Sequence, residues 1–197
     1  MGRCRHSSAQ TLCPPAPYRR ARLALPWGKA QEFPMTTPHI APPDARIGHV
    51  HLKVSDLDRA LAFYSDILGF PLTQRYGRDA AFLGAGGYHH HIGLNTWESK
   101  GGKPPAPGTT GLYHTAFLYP DRKALANVLK RLVEAGIQLD GAADHGVSEA
   151  IYLRDPDGNG VELYRDRDEA DWPRDAAGNL AMFNAHLDLH KLLSEAD

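Results

Sequence analysis

Cysteine is almost missing from this chain of 197 residues: the only two, Cys4 and Cys13, lie in the first fourteen positions. The remainder therefore has neither a disulfide nor a thiolate metal site, and a reducing cytoplasm would do it no harm. Long hydrophobic runs are missing too. The longest in the head, Leu23 to Trp27, is far too short for a signal sequence or a membrane span. There is no basic surplus, since the net charge is -1 and residues 1–34 hold Arg3, Arg5, Arg19, Arg20, Arg22 and Lys29 against Glu32 alone. The rest of the chain is acidic on balance and cannot neutralise a phosphate backbone, so neither nucleic acid nor a membrane is an expected partner. No phosphate-cradling glycine motif and no GxSxG elbow occurs, which removes nucleotide chemistry and serine hydrolysis.

The head, residues 1–45, is polar and broken by proline. It cannot bury enough apolar surface to offset its ordering entropy and is expected to be disordered. Its arginines suggest an organelle transit peptide, but no amphipathic period accompanies them, and translation starting at Met35 is the other reading.

From Ile47 the pattern becomes regular. In IGHVHLKV, Val50, Leu52 and Val54 alternate with His49, His51 and Lys53, which predicts a strand. Asp56 offers an N-cap to a helix carrying Leu57, Leu61, Tyr64 and Leu68, closed by Gly69. Three glycine-punctuated strands are expected near 70–76, 79–85 and 88–97. Residues 98–110, dense in glycine and proline, can only link. The order then repeats: a strand in 111–121, a helix over 122–135 with Leu125, Val128, Leu129, Leu132 and Val133 on its stripe, and strands near 137–140, 148–154 and 160–165.

Two copies of one unit are visible. HxxLxVxD from His49 to Asp56 becomes HxxFxYxD from His114 to Asp121 without a gap, and Ile92-Gly93-Leu94 corresponds to Val161-Glu162-Leu163. Each βαβββ unit alone is too small to close a core, so the two must pair. The fold class is α+β, with module one at 46–97, module two at 111–167 and an extension at 168–197. In that extension Trp172-Pro173 and Met182-Phe183 look like anchors, and 186–193 has a short helical pattern. DPDGNG at 155–160 imitates an EF-hand start, but Glu162 and Asp166 stand at the wrong loop positions and strands flank it, so a tight turn is expected.

The duplication, the opening GHVHLKVSDLDRALAFYSDILGF and the closing YLRDPDGNGVELYRD resemble the vicinal oxygen chelate superfamily of glyoxalase I, extradiol dioxygenases, fosfomycin-resistance enzymes and bleomycin-binding proteins. The resemblance spans about residues 46–167. It implies two modules forming a half-open mixed β-barrel around a metal, with His49, His114 and Glu162 at the ligand positions. His49 and His114 are also repeat equivalents, whereas His51 corresponds to Ala116, so His51 is read as a pocket-wall or packed histidine. Glu162, between Val161 and Leu163, must face solvent or find a partner, because a bare buried carboxylate is costly.

Members like glyoxalase I have a second glutamate where this chain has Gly93. Two imidazoles and one carboxylate with open positions suit non-haem iron(II); manganese, nickel and zinc are the alternatives. The resemblance further implies acid–base and substrate roles for His90, His145 and Tyr152. Alternation leaves His91 as a rival to His90, and His145 requires a shortened hairpin. The expected activity is opening of a catechol-type ring with O2, in a homodimer whose second subunit completes the pocket. A non-oxidative lyase, isomerase or thiol transferase and a metal-free binding protein are the competing readings.

Overall fold

A computed structural model describes residues 40–197; the expectations for the head up to residue 39 lie outside the described residues. The chain divides into Met1–Arg46 and Ile47–Asp197. In the first unit the described stretch makes one turn, closed by Ala45 N donating to Pro42 O.

The second unit contains both repeats. Module one runs β1 (Val50–Lys53), α1 (Leu57–Leu61) with a π-helical continuation (Ala62–Ile67), β2 (Leu72–Tyr76), β3 (Ala80–Leu83) and β4 (Ile92–Asn95). Module two runs β5 (Thr115–Leu118), α2 (Arg122–Glu134), β6 (Leu139–Asp144), β7 (Ser148–Arg154) and β8 (Gly160–Asp166). A 3-10 turn (Glu169–Asp171), the two-residue β9 (Ala185–His186) and α3 (Leu189–Leu193) come after them. The sheets are ordered β1-β4-β3-β2 and β5-β8-β7-β6-β9. The duplication extends to register: His51 is opposite Gly93 in the first parallel pair and Ala116 is opposite Glu162 in the second.

The caps form as the sequence requires. Asp56 accepts from Arg59 N and Asp121 from Ala124 N, while Gly69 and Gly136 take positive φ where the helices stop. Three details depart from expectation. The first helix widens into a π turn, with Leu68 N donating to Phe63 O, and this lets the adjacent Phe63 and Tyr64 both bury. Val133 is exposed rather than part of the stripe, since α2 already fills its groove with Leu125, Val128, Leu129 and Leu132. Residues 88–91 are irregular, and β4 begins only at Ile92.

One core serves both modules, running from Leu52, Tyr64 and Leu94 through Phe117 to Leu129 and Leu163. The turn between β7 and β8 clasps the first module from outside. Tyr64 donates to Asp155 at 2.9 Å, and Asp157 receives Ser55 Oγ at 2.5 Å and Arg59 at 2.6 Å. Burial, with Asp155 beside it, pushes the Tyr64 hydroxyl far above the usual phenol range, so it stays a donor. The DPDGNG segment is thus a turn, and it also joins the two repeats.

The extension belongs to the same body. β9 pairs with β6, Leu187 and Leu192 join the core, and Asp188 caps α3. Tyr64→Phe would leave Asp155 short of a donor at a buried site, lowering unfolding free energy by about 1–3 kcal/mol. Leu192 is fully buried, so Leu192→Ala is expected to cost about 2–5 kcal/mol. Urea titrations with an unchanged slope would read both.

Candidate metal centre

Glu162 sits in β8 between buried Val161 and Leu163, so strand alternation turns its carboxylate to the opposite face from the core. Its side chain is only 12% exposed, and two neighbours offset the desolvation. His114, just before β5, brings Nε2 to 2.8 Å from Glu162 Oε2. Tyr152, directly opposite Glu162 across the β7–β8 pair, has its hydroxyl 3.2 Å from Oε1. His145, on the turn between β6 and β7, extends the series with Nε2 at 2.7 Å from the Tyr152 hydroxyl. The structure therefore joins four of the six expected residues, His114, His145, Tyr152 and Glu162, in one chain of contacts. Burial, then the Glu162 charge, pushes the Tyr152 hydroxyl up to about 12, which keeps it protonated at neutral pH.

The remaining two lie on module one. His49 is exposed immediately before β1, and its ring is 4.5 Å from that of His90. His90 and His91 part company here, because the segment before β4 is irregular and alternation does not apply. His91 turns away and accepts from Ala85 N through Nδ1, while His90 stacks toward His49 and Phe82. Burial first, then the neighbouring His49, His89, His51 and His91, holds His90 below the usual imidazole range and favours its neutral form. His51 is likewise lowered, by burial and then by His49.

The imidazole of His51 lies across Gly93, where an added Cβ would stand 2.9 Å from its Cγ. It also meets Phe82 and Trp97 at ring distances of 5.9 and 5.7 Å. A glutamate at position 93 would have to displace this ring, so packing as well as sequence keeps a second carboxylate from that strand. No group of three or more His, Cys, Asp or Glu side chains placed to hold a metal occurs among the described residues. His49 is thus not gathered with His114 and Glu162 in the single chain.

The His114–Glu162 pair nonetheless has the chemistry of a cation site. A ring nitrogen and a carboxylate oxygen, donor types that a divalent cation accepts, stand 2.8 Å apart, and the buried His114 Nδ1 has no partner among the described residues. Two features had no signal in the sequence. Glu149, on the opposite face of β7, is buried among Arg122, Arg165 and Arg167 and fixes that strand to α2. The Phe183 carbonyl lies 3.1 Å from His145 Nδ1. A backbone carbonyl leaves no trace in side-chain patterns.

Among known proteins, the chain is 42% identical over 154 residues to a catechol-2,3-dioxygenase of Bacillus subtilis, covering 78% of this chain and 53% of that protein. It is 35% identical over 122 residues to biphenyl-2,3-diol 1,2-dioxygenase 3 of Rhodococcus globerulus, covering 61% of this chain and 63% of that protein. The chain thus spans between half and two thirds of the length of these two relatives. The crystal structure of a glyoxalase/dioxygenase from Nostoc punctiforme superposes with a TM-score of 0.55 at 21% identity, covering 67% of this chain and 99% of that one. It shares the fold. Residues 46–163 match the profile of the Glyoxalase/Bleomycin resistance protein/Dioxygenase superfamily, and this chain belongs to that superfamily.

Proposed function

We propose that the protein is an iron(II)-dependent extradiol dioxygenase that opens a catechol-type ring with O2, in a site completed by a second copy of the chain. The observation that carries this reading is Glu162 meeting His114 at 2.8 Å with Tyr152 and His145 behind it, in a chain 42% identical to a catechol-2,3-dioxygenase.

His114 and Glu162 would hold the metal from one copy and His49 from the other. The strands that follow these two histidines, β1 and β5, favour this, because each is terminal in its sheet among the described residues. Exposed Ile47, Leu112, Tyr113 and Leu118 lie beside those edges and would be covered. Iron(II) in a two-histidine, one-carboxylate site supplies positive charge and open coordination positions, and manganese, nickel or zinc are the other divalent ions the donors would accept.

The chain's own residues divide the remaining tasks. Tyr152 keeps its proton at neutral pH and lines the substrate side of the site as a neutral hydroxyl beside Glu162. His90, neutral beside His49, accepts a proton from the diol. His145 stands behind Tyr152 and orients its hydroxyl.

Protein purified without oxygen and loaded with iron(II) is expected to consume O2 and give a coloured ring-opened product from at least one catechol in a panel. Turnover without O2 uptake would mark lyase or isomerase chemistry instead. His114→Ala and Glu162→Ala should lose bound metal and cut product formation at least about a hundredfold, beyond the loss of an outer-shell partner.

Shared sites make a sharper prediction. His49→Ala and His114→Ala chains, each inactive, should recover about one quarter of wild-type activity when unfolded and refolded together, because half the dimers are mixed and each regains one intact site. No recovery would place all three ligands within one chain.

A further inference from the structure

After β8 the chain turns back and crosses the loop that carries His145. Trp172 Nε1 donates to Arg167 O at 2.9 Å, and Ala181 N donates to Pro173 O at 2.8 Å, closing a small loop. Phe183 N then donates to His145 O at 3.3 Å, and β9 continues along β6 with His186 opposite Ala143. The crossing is fitted to the loop. Gly146 has φ +77°, and a Cβ there would stand 2.5 Å from the Phe183 ring and 2.8 Å from Pro173. Only a glycine lets these two side chains close on the backbone next to His145.

This contact places the Phe183 carbonyl 3.1 Å from His145 Nδ1. A carbonyl oxygen can only accept, so Nδ1 must carry the proton. In a neutral ring Nε2 is then bare and must itself accept. The Tyr152 hydroxyl, 2.7 Å away, has one proton to give, and the alternative acceptor, Glu162 Oε1, is farther at 3.2 Å.

We propose that residues 172–187 act as a positioning segment: through the Phe183 carbonyl they fix His145 as its Nδ1–H tautomer and so turn the Tyr152 proton toward His145 and away from Glu162. The phenolic oxygen then presents its lone pairs to the pocket, and Glu162 Oε1 is left without the Tyr152 proton while Oε2 keeps its contact with His114. The catalytic meaning of this rests on the ring-opening reading above; the tautomer itself does not.

The test is nitrogen-15 spectroscopy of the histidine rings in the full chain, freed of paramagnetic metal by chelation, at a pH well above the usual imidazole range. The His145 signals are identified by their loss in His145→Gln. Wild type is expected to hold the Nδ1–H form in at least about tenfold excess, since an unpinned ring populates both tautomers. Phe183 is 48% exposed and outside the core, so Phe183→Ala should fold while loosening the crossing, and the two forms should become comparable. Phe183→Tyr, which keeps the ring against Gly146, should restore the excess. A predominant Nε2–H form in wild type overturns the proposal, and so does an unchanged ratio in Phe183→Ala. Absence of ring cleavage with every catechol would defeat the ring-opening reading and leave this ratio unaltered.

Discussion

Neither βαβββ unit can bury its own helix and sheet against anything but the other, and the pairing of the two is what every further feature depends on. The apolar part of that pairing is carried by Tyr64, Phe70 and Phe117, whose rings meet across the modules. The polar part is carried by two buried acids, Asp155 and Asp157, on one turn. Burying two carboxylates would be ruinous without donors, and the first module supplies them from Tyr64, Ser55 and Arg59. That exchange makes the pairing specific, because slippage of one module on the other would leave charges unsatisfied on both sides.

Within this frame the duplicated units have taken different chemistry. At equivalent strand positions one holds Glu162 and the other Gly93, and across the neighbouring strand one holds Ala116 and the other His51. Space is exchanged reciprocally: the small Ala116 leaves room for the Glu162 carboxylate, and Gly93 leaves room for the His51 imidazole. Module two concentrates negative charge and hydroxyl, and module one concentrates imidazole. A cation with nitrogen and oxygen preferences needs both faces.

Much of this was legible in the sequence, for definable reasons. Strand alternation, the Asp56 and Asp121 caps, the glycine stops and the 65-residue repeat are local signals, and local backbone physics is written residue by residue. The same repeat pairs His49 with His114, and the family resemblance adds Glu162. What escaped depends on contacts distant along the chain. The irregular approach to β4 separated His90 from His91, which periodicity could not do. The burial of Glu149 with three arginines, the exposure of Val133 and the module-joining use of DPDGNG are all set by what stands opposite, not by neighbours in sequence. Which histidines come together is decided by the placement of whole modules, the least local property of all.

The route of the chain beyond β8 has a consequence for biosynthesis. The loop bearing His145 and all of its sheet neighbours except β9 precede residues 172–187 in the chain, so the cover of this corner is the last part of it to be synthesised. Leu187 and Leu192, buried in the core, fasten this late segment to α2 and β6. A polypeptide halted before that closing stretch would thus carry the loop of His145 without the Phe183 carbonyl beside its ring.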